Sequence, residues 1–155
     1  MGPIGVRFAF SVAAALGFAV LPLNALAGGL QVKDFEGMPV KAVASGASAS
    51  NLAAQAECTG TYPNRGVAKL KWSIAQPRGT EQRVLVSIYG FREGRFEATP
   101  PLPPDQTEYT WDRIQGQAVH SWMVLTRRGN AWEASPQETF DGPGCVADMR
   151  TGALR

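Results

Sequence analysis

The fold is decided by residues 66–74, which read GVAKLKWSI. Ala68, Leu70 and Trp72 alternate there with two lysines and a serine, so the apolar side chains of an extended chain point to one side and the polar ones to the other. Such alternation is typical of a strand with one face in water and one in a protein core. We therefore predict a strand at this position and a core location for Trp72.

Further short apolar runs follow, separated by clusters of Gly, Pro and Asn. The predicted strands are residues 82–89, a short edge strand within 91–98, residues 107–112, residues 118–126 and a last one within 131–140. The first of these is apolar on both faces and predicts a central strand, whereas Pro136 weakens the last. About six or seven such strands, with no convincing long helix, predict an all-β fold, an antiparallel two-sheet sandwich.

Two of these strands resemble fibronectin type III domains. The run Leu70-Lys71-Trp72, followed by Pro77, is similar to the second strand of that family, in which a core tryptophan anchors the sandwich. Residues 109–114, YTWDRI, look like its fifth strand. The resemblance implies an immunoglobulin-like sandwich over about residues 57–141 that presents loops or a sheet face to partners.

The sequence departs from that family in two respects. The usual tyrosine at the start of the sixth strand is replaced by Val119 or His120, depending on the alignment of the preceding turn. The tyrosine-corner hydrogen bond is therefore not expected. A disulfide bond is also not standard in the family.

The N-terminus has the pattern of a secretory signal peptide. An apolar, uncharged run ends with Ala25 and Ala27, which place small residues three and one before a cut after Ala27. We predict that residues 1–27 are removed and that the mature chain begins at Gly28, in the periplasm or outside the cell. The apolar run is shorter than the roughly 20 residues a membrane helix needs, so we expect no membrane span after cleavage.

The mature chain has room for one domain. Cleavage leaves 128 of the 155 residues, which suffices for a single core. Residues 28–56 have mostly small side chains and no large apolar face, which predicts a flexible Ala/Ser/Gly-rich arm. A short helix over residues 51–57 is the alternative. The sandwich domain then spans residues 57–145, and residues 146–155 form a polar tail.

Cys58 and Cys145 are the only cysteines. Export takes both thiols to an oxidising compartment, which predicts a disulfide bond between them. Closing so long a loop stabilises a domain by roughly 4–5 kcal/mol in the chain-entropy model. Their separation excludes a CxxC redox motif, and with His120 as the single histidine no zinc site of the usual ligand count can form. We expect no metal and no cofactor.

The composition favours a binding protein over an enzyme. After cleavage 14 basic and 13 acidic residues remain, well mixed along the chain, which is unlike the one-sided basic field of nucleic-acid-binding proteins. No nucleophile elbow of the GxSxG type accompanies His120, and we find no catalytic constellation. We predict a secreted or periplasmic non-catalytic binding module acting through its sandwich loops, with a protein or carbohydrate partner. The alternative is a small secreted enzyme or enzyme inhibitor with an unrecognised site.

One loop carries the candidate contact residues. The run Arg128-Gly129-Asn130 is a hairpin-turn signal, and it would gather Arg127, Arg128 and Trp132 at one tip of the sandwich. An exposed tryptophan flanked by arginines is typical of hot spots for protein or sugar contact. The alternative reading, in which Trp132 folds back onto the edge of the core, stays open.

Overall fold

The computed structural model describes residues 32–43, 48–59, 66–74, 79–88, 90–91, 94–114 and 116–145. The signal sequence predicted at residues 1–27 and the tail predicted at 146–155 lie outside these ranges. The described residues form the strands β1 (Asp34–Phe35), β2 (Met38–Ala42), β3 (Ala49–Glu57), β4 (Val67–Ile74), β5 (Glu81–Ile88), β6 (Glu97–Ala98), β7 (Glu108–Trp111), β8 (Val119–Arg128), β9 (Ala131–Ala134) and β10 (Glu138–Asp141).

The strands form two sheets. The smaller sheet has the order β3-β4-β7, and the larger has the order β1-β2-β9-β8-β5-β6, with β10 also pairing with β8. All pairings are antiparallel except that of β2 with β9, which is parallel. The predicted all-β sandwich is therefore confirmed.

The main core lies between the two sheets. On β4 the predicted alternation is confirmed, because Ala68, Leu70 and Trp72 are buried while both lysines are exposed. Trp72 meets Trp122 of β8 edge to face, with ring centroids 6.5 Å apart, a favoured geometry for aromatic pairs. The core residues of this cluster are Ala49, Ala68, Leu70, Trp72, Val84, Val86, Leu102, Trp111, Ile114, Trp122, Val124 and Phe140.

The last strand is divided where the sequence predicted a weak point. Pro136 cannot donate a ladder hydrogen bond, and it lies between β9 and β10, which both pair with β8. Ser135 joins the two halves to β8: its amide donates to the Val124 carbonyl, and its hydroxyl accepts from the Val124 amide, both at 2.9 Å. The hydroxyl thus satisfies an amide that the interrupted ladder would leave unpaired.

A second core covers the other face of the larger sheet. Its buried residues are Val32, Phe35, Val40, Leu85, Phe91, Met123, Leu125, Trp132 and Ala134. Val32 precedes β1, and the hairpin β1–β2 supplies Phe35 and Val40. The hairpin turns at Glu36 and Gly37, whose φ angles of 52° and 73° match the two-residue turns that suit hairpin twist. The sandwich is consequently extended by a third layer made from the N-terminal segment.

The flexible arm predicted at residues 28–56 and the alternative helix at 51–57 are both corrected for the described part of that segment. β3 pairs with β4 from Ala49 to Glu57, and β2 pairs with β9. The physical reason is tertiary: small residues such as Ala54 and Ala56 bury little surface alone, but they fit beside the apolar face of β4 while their backbones complete the sheet.

Candidate functional site

The predicted tip forms, but without an exposed tryptophan. The turn at Gly129 and Asn130 joins β8 to β9 and is exposed, as its sequence predicted. Trp132, however, has a relative exposure of 0%. Its ring meets Phe35 of the N-terminal hairpin edge to face, with centroids 5.4 Å apart. The structure therefore corrects the exposed reading of Trp132, which is a core residue and not a contact residue.

The two arginines of the tip are engaged with carboxylates of neighbouring strands. Arg127 Nη1 lies 3.6 Å from Glu81 Oε2, and Arg128 Nε lies 2.7 Å from Glu133 Oε2. The Arg127 side chain keeps 40% of its exposure and that of Arg128 keeps 22%. Both remain near the turn, but each would have to exchange or share its carboxylate to bind a partner.

A ladder of ion pairs runs from this tip across the outer face of the larger sheet. Arg83 lies at its centre, with Nε 2.8 Å from Glu81 Oε1 and Nη2 2.7 Å from Glu36 Oε1. Arg83 also donates to the Thr99 carbonyl at 2.9 Å and lies over the Phe35 ring at 6.0 Å. Because Glu36 and Phe35 belong to the N-terminal hairpin, Arg83 holds that hairpin on the sheet.

A buried glutamine fixes the proline-rich connection at the same end. Gln82 has 0% exposure; it accepts a hydrogen bond from Trp72 Nε1 at 2.8 Å and donates to the carbonyls of Pro103 and Gln106 at 3.0 Å each. Its backbone exchanges hydrogen bonds with Leu102. The Gln82 side-chain amide thus provides hydrogen-bond partners for a core tryptophan and for two carbonyls of the connection. The connection cannot pair regularly as a strand, because its prolines have no backbone N–H to donate.

The β4–β5 loop also approaches this tip closely. The Thr80 amide donates to the Arg127 carbonyl at 3.0 Å. A Cβ at Gly79 would lie 2.5 Å from the same carbonyl oxygen, which no side-chain-bearing residue could tolerate without a shift. The tip is thus held by backbone packing as well as by ion pairs.

His120 is a core residue. It is fully buried, stacks on Phe140 with centroids 4.9 Å apart, and its Nδ1 lies 3.0 Å from the Ala118 carbonyl. Desolvation holds the pKa of His120 below its ordinary value of 6.5, with the backbone contact opposing the shift. Of the two residues at the position left open in the resemblance, His120 is buried and Val119 is 46% exposed.

The predicted disulfide bond is confirmed. Cys58 and Cys145 are bonded, with Cα atoms 5.7 Å apart. The bond joins the residue after β3 to the segment after β10, so it links the two sheets at one side of the sandwich. Among the described residues, no group of three or more His, Cys, Asp or Glu side chains is arranged to hold a metal ion. Nor does that part of the chain contain a helix long and apolar enough to cross a membrane.

A feature that the sequence reading missed is the open edge of the smaller sheet. β3 is its outer strand and, within the described ranges, pairs only with β4. The outward sheet face beside it carries ion pairs such as Lys69 with Glu57, 2.8 Å apart, whose hydrogen bond and charge raise the pKa of Lys69. Alternation within residues 49–57 is a signal that could have revealed this strand, but the side chains are too small to stand out.

Comparison with known proteins identifies the fold alone. No family model matches the sequence, and no curated protein matches it. The FN1–FN3 domains of chicken CNTN1 align with a TM-score of 0.52 at 5% identity, covering 68% of this chain and 33% of that one. The FN3 domain of human collagen XX aligns with a TM-score of 0.50 at 9% identity, covering 64% and 95%. A solution structure of the fn3 domain of the human collagen alpha-1(XX) chain gives 0.50 at 12%, covering 71% and 96%.

The chain therefore has a fibronectin type III-like β-sandwich fold. It differs from a plain seven-stranded sandwich by the hairpin β1–β2, which extends the larger sheet and covers its outer face.

Proposed function

We propose that the mature chain is an exported, non-catalytic interaction module of the periplasm or the extracellular space. The proposal rests on one observation: the polar side chains that could serve in catalysis are buried or already bonded within the fold. His120 is stacked in the core and Gln82 is bonded to three partners. Arg83 is bonded within its ion-pair ladder. What remains for contact with other molecules is an outer surface of strand edges, turns and one polar sheet face.

Two further observations support this function. The fibronectin type III-like sandwich is a scaffold that commonly mediates protein contacts, although a fold does not by itself fix a function. The bond between Cys58 and Cys145 suits an oxidising compartment, in agreement with the export signal proposed for residues 1–27. Arg127 and Arg128 stay candidate contacts for an acidic partner at the tip, whereas Trp132 does not.

The test is a photocrosslinking scan in producing cells. Benzoylphenylalanine is placed singly at four exposed positions. Gln55 and Lys71 lie on the outward face of the smaller sheet, Asp105 lies in the connection before β7, and Asn130 lies in the turn between β8 and β9. We expect mass spectrometry to show an exported product that begins at Gly28. We also expect crosslinked protein adducts at one or more of these positions. A product retained with residues 1–27, or the absence of adducts from every position, would refute the proposal.

A further inference from the structure

The direction of the amide groups on β3 follows from the pairing of its neighbour. The Trp72 amide of β4 donates to the Thr107 carbonyl, on the side of β7, at 2.9 Å. Successive residues of a strand direct their amide and carbonyl groups to opposite sides. The main-chain groups of Trp72 and Leu70 therefore point toward β7. Those of Lys71 and Lys69 point toward β3.

The register then identifies the groups at the open edge. Ala53 and Gln55 stand opposite Lys71 and Lys69 and are the residues bonded to β4. Leu52, Ala54 and Ala56 consequently direct their N–H and C=O groups away from the sheet, and the described residues supply no strand to receive them. Their side chains point inward and are only partly buried. An added strand would pair with these groups and cover those side chains.

This edge lacks the usual protection against pairing. Exposed edges are normally short, or carry charges or proline. Of the other edge strands, β1 and β6 have two residues each, β7 begins with Glu108, and β10 follows Pro136. β3 has nine residues, with no charged side chain or proline before Glu57. Its irregularity lies between Ser50 and Ala53, at the beginning of the strand.

One acidic side chain lies on the inner face of the strand of the other sheet that packs beside this edge. β10 packs alongside β3. Its Glu138 stands opposite the buried Trp122 and thus on the inner face of its sheet, yet its side chain is exposed. Asp141 of the same strand is exposed as well, but it stands opposite the exposed Val119 and thus on the outer face of its sheet. Neither carboxylate forms an ion pair within the described residues.

We propose that the β3 edge is a strand-addition site for an extended segment of another protein, apolar at alternating positions and carrying a basic residue next to Glu138. This inference rests on the proposed function and specifies its surface and partner class. Hydrogen bonds to the main-chain groups of Leu52, Ala54 and Ala56 supply affinity. The Glu138 carboxylate favours a segment with a basic residue over a neutral or acidic one. A second copy of the chain fits less well, because pairing two β3 edges would bring two acidic β10 strands together.

The test measures binding of three short peptides to the purified, oxidised mature chain by fluorescence anisotropy. The basic probe has the sequence Thr-Lys-Thr-Val-Thr-Val-Thr-Lys, whose lysines share one face of an extended strand with the valines, and matched probes replace its lysines by Gln or Glu. We expect the basic probe to bind most tightly. NMR titration should shift the amides of Leu52, Ala54 and Ala56, whereas those of Ala53 and Gln55 should move less.

Two variants separate main-chain pairing from charge. Ala54→Pro removes an outward amide without removing a β3–β4 hydrogen bond, as edge strands permit, and should weaken all three probes by about tenfold or more. Glu138→Gln should weaken the basic probe by about two- to fivefold and leave the Gln probe unchanged. Asp105→Asn, at an exposed site in the connection before β7, is the matched control and should change neither. Circular dichroism checks folding, and Ala56→Pro replaces Ala54→Pro if the latter does not fold.

The proposal is overturned if the basic probe fails to bind at about 1 mM, or if it binds equally well to the wild type and the folded proline variant. Tighter binding of the Glu probe would also overturn the partner chemistry. If the peptides fail but crosslinks form at Asn130, the strand-addition site is wrong and the interaction module stands. If no surface position forms crosslinks, the interaction module is wrong as well.

Discussion

Substitution of Trp132 by alanine tests whether the second core is part of the stable fold. The side chain is fully buried against the N-terminal hairpin, and its edge-to-face contact with Phe35 joins that hairpin to β9. Removal of a buried tryptophan typically costs about 3–5 kcal/mol, against a total unfolding free energy of about 5–15 kcal/mol for a domain. With a urea m-value of about 1.5 kcal/mol/M, a loss of 3 kcal/mol lowers the midpoint by about 2 M.

The assay is urea unfolding followed by far-UV circular dichroism, with two comparison variants. Trp132→Phe keeps an aromatic ring near Phe35 and removes an indole N–H that has no hydrogen-bond partner among the described residues, so it should lose less than half as much as Trp132→Ala. Val119→Ala, at a 46% exposed position, should change stability by less than about 0.5 kcal/mol. A midpoint shift below about 0.5 M for a folded Trp132→Ala protein would refute the second core, since it would match an exposed tryptophan.

Three further predictions concern the main core. Reduction of the Cys58–Cys145 bond should lower the unfolding free energy by about 3–5 kcal/mol, and an unchanged urea midpoint after complete reduction would contradict this. Gln82→Ala should cost about 2–4 kcal/mol, because Trp72 Nε1 and two carbonyls lose their partner, so a melt like that of the wild type would show that the network adds nothing. Burial holds the pKa of His120 below 6.5, so the unfolded chain binds the proton more readily and stability should fall as pH drops below about 6.5. Subtracting the pH profile of His120→Gln isolates this contribution, and a zero difference between pH 8 and pH 5 would refute it.

The sandwich itself was predictable because its signal is local. Lysines alternate with apolar residues on β4, so the face that carries Trp72 is evident from nine consecutive residues. The same holds for the longest strand, predicted at residues 118–126 and observed as Val119–Arg128. The proline-divided last strand also followed, because the missing donor of Pro136 is a property of that residue alone.

The N-terminal layer could not be predicted in the same way because its stability is non-local. β3 is rich in alanine and becomes a strand through pairing with β4, and the hairpin buries Phe35 only because the outer sheet face is apolar. A signal for that third layer was present: β5 is apolar on both faces, with Leu85 directed oppositely to Val84 and Val86. A strand that is apolar on both faces requires cover on both. The N-terminal layer that covers this face of the sheet also buries Trp132.

The third layer also restricts where the molecule can meet a partner. In a two-layer sandwich both outer faces are available, but here the outer face of the larger sheet is occupied by the β1–β2 hairpin and held by the ion pairs of Arg83. The remaining sheet face is polar, and its lysines are matched by carboxylates, as in the Lys71–Glu108 pair at 3.9 Å. Such exposed pairs contribute little binding energy. Main-chain groups at the edge of β3 can exchange hydrogen bonds to water for hydrogen bonds to an added strand, and for that reason the proposed site is this edge rather than either sheet face.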